Sequence, residues 1–247
     1  EKALAVAAGM AGYIDRVFST LDEEKTQLVL DCEYGGLQEA IAELYSRTRE
    51  VRWLKLARRL RHEKTFRPVA EGRDELDKVH SNTEIPKYVG SARLYEVGGG
   101  EDNAAATRFL WRTVTQHRSY VVGGNGDREW FYPKGQLSRY ITDQTCEHCS
   151  TYNMLKITRH LFQWEPDAKW FDFYERAHLN HTLAAQDPDT GMFAYMMPTM
   201  AGARRTWPEP SDQFWCCMGT GMEAHAKHGD SIYWKAGSAG AAVLYVC

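Results

Sequence analysis

No run in this 247-residue chain approaches the ~18 consecutive apolar residues that span a bilayer, which excludes a membrane-crossing helix. Charge of one sign is also missing. Lys and Arg total 30 against 33 Asp and Glu, a net charge of −3, so nothing points to nucleic acid as a partner. The glycine-rich turn Gly123-Gly124-Asn125-Gly126 is followed by no Gly-Lys-Ser/Thr, so it is not a phosphate-binding loop. An initiator Met is lacking: the chain enters a helical pattern at Glu1 and stops at Cys247, inside the apolar run Ala241–Val246. A segment of a longer protein is expected, and the missing signal peptide then carries no information about export. What is present suits a folded globular protein: hydrophobic residues at 43% and charged residues at 26% leave enough of both for core and surface. The 8 Trp, 13 Tyr and 9 Phe serve either a large helical core or the binding of flat sugar rings.

Helical periodicity dominates. Leu4, Ala8, Met10, Ile14, Val17 and Phe18 share one helical face, and further helices are expected near 36–47, 51–62, 83–97, 103–118, 149–164, 168–186 and 219–233. Turn residues separate them, at Gly35-Gly36, Gly98-Gly99-Gly100 and Glu165-Pro166-Asp167. Strand character is confined to Met192–Met197 and the final Ala241–Val246 run. Leu44-Tyr45 with Trp53, and Leu161-Phe162 with Trp170, repeat the same spacing across a short polar turn, and Leu94-Tyr95 begins a weaker copy. Repeated αα-hairpins stack into a solenoid or close into a toroid; an irregular helical bundle is the alternative.

Six cysteines divide into kinds. Cys32, in an apolar helical stretch, reads as a small core residue. Cys146 and Cys149 form a C-x-x-C pair, and Cys216 and Cys217 form a second, adjacent pair. Two close pairs far apart in sequence match metal-ligand spacing, with zinc favoured by soft sulfur; buried thiols or a disulfide between the pairs are the alternatives. Glu147 lies between the first two cysteines, where a carboxylate could join sulfur on one metal. Glu129 follows the glycine-rich turn, which lets the backbone bend sharply and present a side chain, although a solvated loop carboxylate is the simpler reading. His225 and His228, spaced i, i+3 on an expected helix, read more readily as packing residues than as ligands. His80 precedes Ser81-Asn82-Thr83, any of which serves as a helix cap, so the imidazole is left for another task.

Five blocks occur in order: Glu33-Tyr34-Gly35-Gly36; His80 to Lys87 (His-Ser-Asn-Thr-Glu-Ile-Pro-Lys); Gly123-Gly124-Asn125 with Glu129; Glu147 to Lys156; and Trp215-Cys216-Cys217-Met218-Gly219-Thr220-Gly221. Together they resemble the β-L-arabinofuranosidase family of glycoside hydrolases, family 127, and its relative family 146. The resemblance covers nearly the whole chain, and the vicinal cysteines followed by Gly-Thr-Gly are its most specific part.

The resemblance implies a mostly α fold: an (α/α)6 barrel, here partial over 1–235, with the start of a truncated β-sandwich domain over 236–247. It implies a retaining glycoside hydrolase that releases L-arabinofuranose from an arabinose-containing oligosaccharide or glycoconjugate. Zn2+ would be held by Glu147, Cys149, Cys216 and Cys217, with Cys216 as nucleophile, Glu129 as acid/base and His80, Glu175 and Tyr195 on the substrate. Cys146 falls outside that ligand set, in competition with a four-cysteine site. One departure from family 127 is Gly36, where its members often carry His, which makes family 146 the better subgroup match. Two rivals stand beside this reading: another α/α-toroid enzyme acting on sugars, a lyase or epimerase, and a non-catalytic segment with a structural zinc. Location stays open between bacterial cytoplasm and periplasm, because reduced thiolates favour a reducing compartment while metal protects thiols anywhere.

Overall fold

The computed structural model describes residues 1–32, 34–236 and 240–243. These residues form two compact units: 1–75 with 83–110, and 76–82 with the chain from Trp111 onward. No helix among the described residues is long and apolar enough to cross a membrane.

The first unit contains α1 (Lys2–Ser19), α2 (Glu23–Leu30), α3 (Leu37–Thr48), α4 (Val51–Arg59), α5 (Glu63–Ala70), most of α6 (Ser81–Gly98) and the start of α7 (Glu101–His117). Local chemistry sets several boundaries. The Asp22 carboxylate accepts a hydrogen bond from the Lys25 amide at 2.8 Å and starts α2, with Glu23 and Glu24 in the favourable first turn. Arg49, at a left-handed φ of 61°, ends α3 and turns the chain into α4. The α3–α4 pair is the hairpin expected from Leu44-Tyr45 and Trp53. Leu44, Trp53, Leu54, Leu56 and Ala57 are buried there with Ile41, Leu60 and Leu94. The sequence did not announce α2 or α5 as separate helices, since each is only 8 residues long and too short for a clear period. Cys32 is exposed rather than in the core: it lies just past the end of α2, where its thiol reaches only the Leu28 carbonyl, 3.9 Å away.

The second unit holds the end of α7, α8 (His148–Trp164), α9 (Ala168–Ala177), α10 (Cys216–Ala226) and a two-stranded antiparallel ribbon of β1 (Tyr233–Ala236) and β2 (Gly240–Val243), with Tyr233 opposite Val243. Helix α8 is buried on most sides, from His148 and Cys149 through Leu161 and Phe162, and is therefore central to this unit. Asp167 caps α9 by accepting from the Lys169 amide at 2.9 Å, which completes the α8–α9 hairpin expected from Phe162 and Trp170. Beyond α9 the chain tightens irregularly, with a π-helical turn over His178–Thr182.

Met192–Met197 is not a strand. It is tied by single bridges, Phe193 to Gln186 and Met196 to Glu147, because the segments beside it turn or become helical before a ladder can extend. The final apolar run is strand only over the described Gly240–Val243; Leu244–Cys247, like Glu33, lie outside the described residues.

Candidate active site

The second unit gathers Glu129, Tyr195, Glu147, Cys149, Cys216 and Cys217. Two helix starts do much of the positioning. Glu147 is the N-cap residue of α8 and Cys149 sits in its first turn, while Cys216 and Cys217 open α10 directly after Trp215. Helix N-termini carry partial positive charge, which favours carboxylates and thiolates there. The Gly-Thr-Gly that follows is structural in its second glycine: a Cβ on Gly221 would stand 2.2 Å from Cγ of Phe193, so only glycine lets α10 seat against that ring. Gly219 has open space around it.

The four acidic side chains place one ligand atom each within 4.8 Å of one another. Cys149 Sγ lies 3.4 Å from Cys217 Sγ and 2.9 Å from the Thr220 hydroxyl. Ser150 donates to Glu147 at 3.3 Å. No Lys, Arg or His is bonded to any of the four among the described residues. The electrostatic result is crowding. Burial, and then the negative charges of Cys216 and Glu129, push the Glu147 carboxyl up to about 8. Among the sulfurs, hydrogen bonds from Cys149 and Cys217 lower Cys216, while Cys149 is raised, chiefly by its bonds with Cys216 and Cys217. Cys216, the exposed member of the set, is the sulfur these hydrogen bonds favour as thiolate. Such a donor set, three sulfurs and a carboxylate without a cation, suits a metal ion, and soft sulfur suits zinc among the common ones.

Glu129 arrives from the glycine-rich loop with φ of 72°, next to Arg128 at 46°, so two non-glycine residues hold the left-handed conformation in succession. Ser81 fixes that backbone, donating to the Glu129 carbonyl from its amide at 2.8 Å and its hydroxyl at 2.9 Å. The preceding glycines permit close approach: a Cβ on Gly124 would lie 2.5 Å from Cβ of Cys146. The Tyr195 hydroxyl donates its one proton to Oε1 of Glu129, and its oxygen lies 3.9 Å from Cys216 Sγ, between the two groups. His80 Nε2 stands 3.6 Å from Oε2 of Glu129, with its ring against Trp130. A cavity of about 590 Å³ opens beside Glu129, Tyr195 and Trp215.

Other residues stand outside these contacts. Glu175 is half-buried on α9, and no described contact joins it to Glu129, Tyr195 or the sulfurs. Cys146 does not join the ligand set, which removes the four-cysteine site. It is fully buried with Tyr120, Tyr132 and Met197, and burial pushes its thiol up to about 12. His225 and His228 pack as expected: His225 meets the Gly221 carbonyl at 3.0 Å and the Phe193 ring, and His228 meets His178 at 3.2 Å. Thr220 and Ser150 were legible in the Gly-Thr-Gly and Cys-Ser contexts but carry no spacing signal of their own. Arg204, Gln144 and Thr206, which line the cavity, left no trace in sequence at all.

The family profile described as the β-L-arabinofuranosidase GH127 catalytic domain matches residues 1–230. The chain belongs to this family. Among solved structures, a GH127 β-arabinofuranosidase is 21% identical, with a TM-score of 0.61 over 76% of this chain and 31% of its own. The GH127 β-L-arabinofuranosidase of Geobacillus stearothermophilus T6 is also 21% identical, with a TM-score of 0.62 over 85% of this chain and 39% of its own. An inactivated variant of the α-1,6-mannanase of Salegentibacter sp. HEL1_6, in complex with α-1,6-mannotriose, is 17% identical, with a TM-score of 0.54 over 76% of this chain and 51% of its own. No curated protein matches. The GH127 fold assignment is mostly α and fits part of an α/α toroid. The chain spans 31% and 39% of the two GH127 structures.

Proposed function

We propose that this GH127 chain carries the catalytic constellation of a retaining glycoside hydrolase that releases L-arabinofuranose from arabinose-containing oligosaccharides or glycoconjugates. The observation that carries the reading is the Tyr195 hydroxyl, which lies between Glu129 and Cys216 at the edge of one cavity. Retaining enzymes need a nucleophile and an acid/base on the two sides of one anomeric carbon. Here the nucleophile is the Cys216 thiolate. It attacks the anomeric carbon as Glu129 gives its proton to the departing glycosidic oxygen, leaving a thioglycoside on Cys216. Glu129 then takes a proton from water, which displaces the sulfur and restores the thiolate. Two inversions give net retention.

Zn2+ held by Glu147, Cys149, Cys216 and Cys217 would supply the positive charge that keeps three neighbouring sulfurs deprotonated at neutral pH. His80 and Tyr195 orient the Glu129 carboxylate and reach sugar hydroxyls, and Glu175 is assigned to the same pocket by the family pattern alone. The domain reading stays with it: residues 1–235 as partial barrel and 236–247 as the start of a β-domain. The exposed Cys216, 3.9 Å from a Tyr195 hydroxyl whose ring lines the cavity, supports catalysis over a purely structural metal.

The test uses the full-length enzyme with a nitrophenyl β-L-arabinofuranoside and a natural arabinoside. Cys216→Ser abolishes turnover of both. Glu129→Gln lowers turnover of the natural substrate by ~10²–10⁴-fold and costs less with the aryl leaving group, which needs little protonation. Equal loss on both substrates would remove Glu129 as the acid, and turnover surviving in Cys216→Ser would remove the nucleophile.

A further inference from the structure

The cavity beside Glu129 is larger than the reaction at one pentose requires. At about 590 Å³ it falls among cavities that enclose drug-sized ligands, roughly 300–1,000 Å³, so the group leaving the arabinose also has room inside it. Its charges are unevenly matched. Arg128 is bonded to Asp127 at 3.0 Å and stands 3.8 Å from Asp143, so the two carboxylates beside it hold its guanidinium. Glu129 is occupied by Tyr195 and His80. Arg204 is left: it lines the cavity, is exposed to it, and has no hydrogen bond or ion pair with any described residue. The side-chain polar groups of Gln144 and Thr206, in the same lining, also have no partner among the described residues. The indole of Trp215 lies edge-on to Tyr195, 5.6 Å between centroids, and offers an apolar face to a ring.

We infer that this lining is the leaving-group subsite of the enzyme and that it selects an acidic sugar, a uronate, through Arg204. The inference rests on the glycosidase reading above and names the substrate class that the reading leaves open. A guanidinium presents two parallel N–H donors that match a planar carboxylate and no neutral hydroxymethyl group. The amide of Gln144 and the hydroxyl of Thr206 take ring hydroxyls, and Trp215 stacks on the ring. Asp143 sets the limit: its carboxylate is in the same lining and repels the incoming anion to the extent that Arg128 leaves it uncompensated. Both arginines being partly solvated, discrimination is several-fold rather than absolute.

The experiment compares two substrates on the full-length enzyme: L-arabinofuranose β-linked to galacturonic acid, and the methyl ester of the same disaccharide. The ester removes the charge and adds one methyl group, and the Arg204 variants separate the two effects. The expected kcat/KM ratio of acid to ester is roughly five- to tenfold at low salt and shrinks as salt screens the pair. Arg204→Ala brings the ratio to about one, Arg204→Lys retains part of it, and Asp143→Asn raises it. The last variant gives an opposite sign and stays informative if Arg204→Ala does not fold. A ratio of one in the unchanged enzyme, or an unaltered ratio in Arg204→Ala, overturns the subsite. In those cases cleavage of the nitrophenyl arabinofuranoside leaves the glycosidase reading standing. Failure to cleave the nitrophenyl glycoside overturns that reading, and the subsite with it.

Discussion

Each unit buries a cluster of ionisable groups. In the first unit Glu84, Lys87 and His62 are nearly inaccessible to solvent, at 1%, 8% and 4%. The Lys87 ammonium donates to Glu84 at 3.0 Å and to His62 Nδ1 at 3.0 Å, and it lies 4.9 Å above the Tyr34 ring. Positive charge meets negative charge, so the cluster carries its own cation. In the second unit Glu147, Cys149 and Cys217 are equally buried, with Cys216 beside them, and all four are acids. No cation of the described residues is bonded to them, and the strain shows as a carboxyl raised to about 8. The first arrangement is what a buried ion pair needs to persist. The second is what an interior tolerates only when something positive is supplied from outside. Counting charges within a buried cluster therefore separates a structural network from a site better than burial or residue type.

Four measurements break or sharpen that contrast. Cys217→Ser has the largest effect: it removes a metal ligand, and zinc affinity in a competition titration falls by more than the ~10–100-fold typical of losing an outer partner of a ligand. Lys87→Met comes next. It leaves Glu84 buried without its cation and costs about 3–5 kcal/mol in denaturant unfolding, whereas Lys87→Met with Glu84→Leu recovers most of it. An equal cost for the single and double variants would mean that the pair is not electrostatically coupled.

The third measurement is the pH dependence of the metal-free protein. Glu147 ordinarily titrates at 4.5 and is raised to about 8, so the folded state binds the proton more tightly than the unfolded chain. Its contribution is fully present below pH 4.5 and is lost as pH rises toward and through about 8. Glu147→Gln should flatten unfolding profiles across that window. Zinc addition to the parent should release protons, seen as a buffer-dependent heat in calorimetry. The smallest effect is on the acid side. Burial, and then His228, lower His178 from 6.5 to about 4. The folded state excludes a proton that the unfolded chain accepts, so stability falls as pH drops from 6.5 to about 4 and His178→Phe reduces that slope.

Much of the helical framework was legible because it is local. Trp53 and Trp170 follow their preceding apolar pairs at the same distance, and both hairpins formed where that spacing placed them. The ligand set was legible for another reason: Glu147, Cys149 and the vicinal pair belong to contiguous blocks, so family resemblance transfers them, and their atoms do converge. Spacing alone would have chosen Cys146, because a C-x-x-C pattern does not reveal that a residue at φ 57° turns its thiol into an aromatic pocket. Met192–Met197 misled in the same way. Its apolar run reads as strand, yet strand identity depends on neighbours at Glu147 and Gln186 that offer only one bridge each. Beyond Glu129 and Tyr195 the cavity lining was illegible, since Arg204 and Gln144, 60 positions apart, come to one cavity only through the tertiary fold.

Zinc analysis of the full-length protein purified without added metal, joined to X-ray absorption at the zinc edge, is the most direct test that the four acidic donors form one metal centre. The predicted result is one zinc per chain with three sulfur neighbours at about 2.3 Å and an oxygen at about 2.0–2.2 Å. A metal-free protein that still turns over arabinofuranosides, or zinc surrounded by nitrogen and oxygen alone, would contradict it.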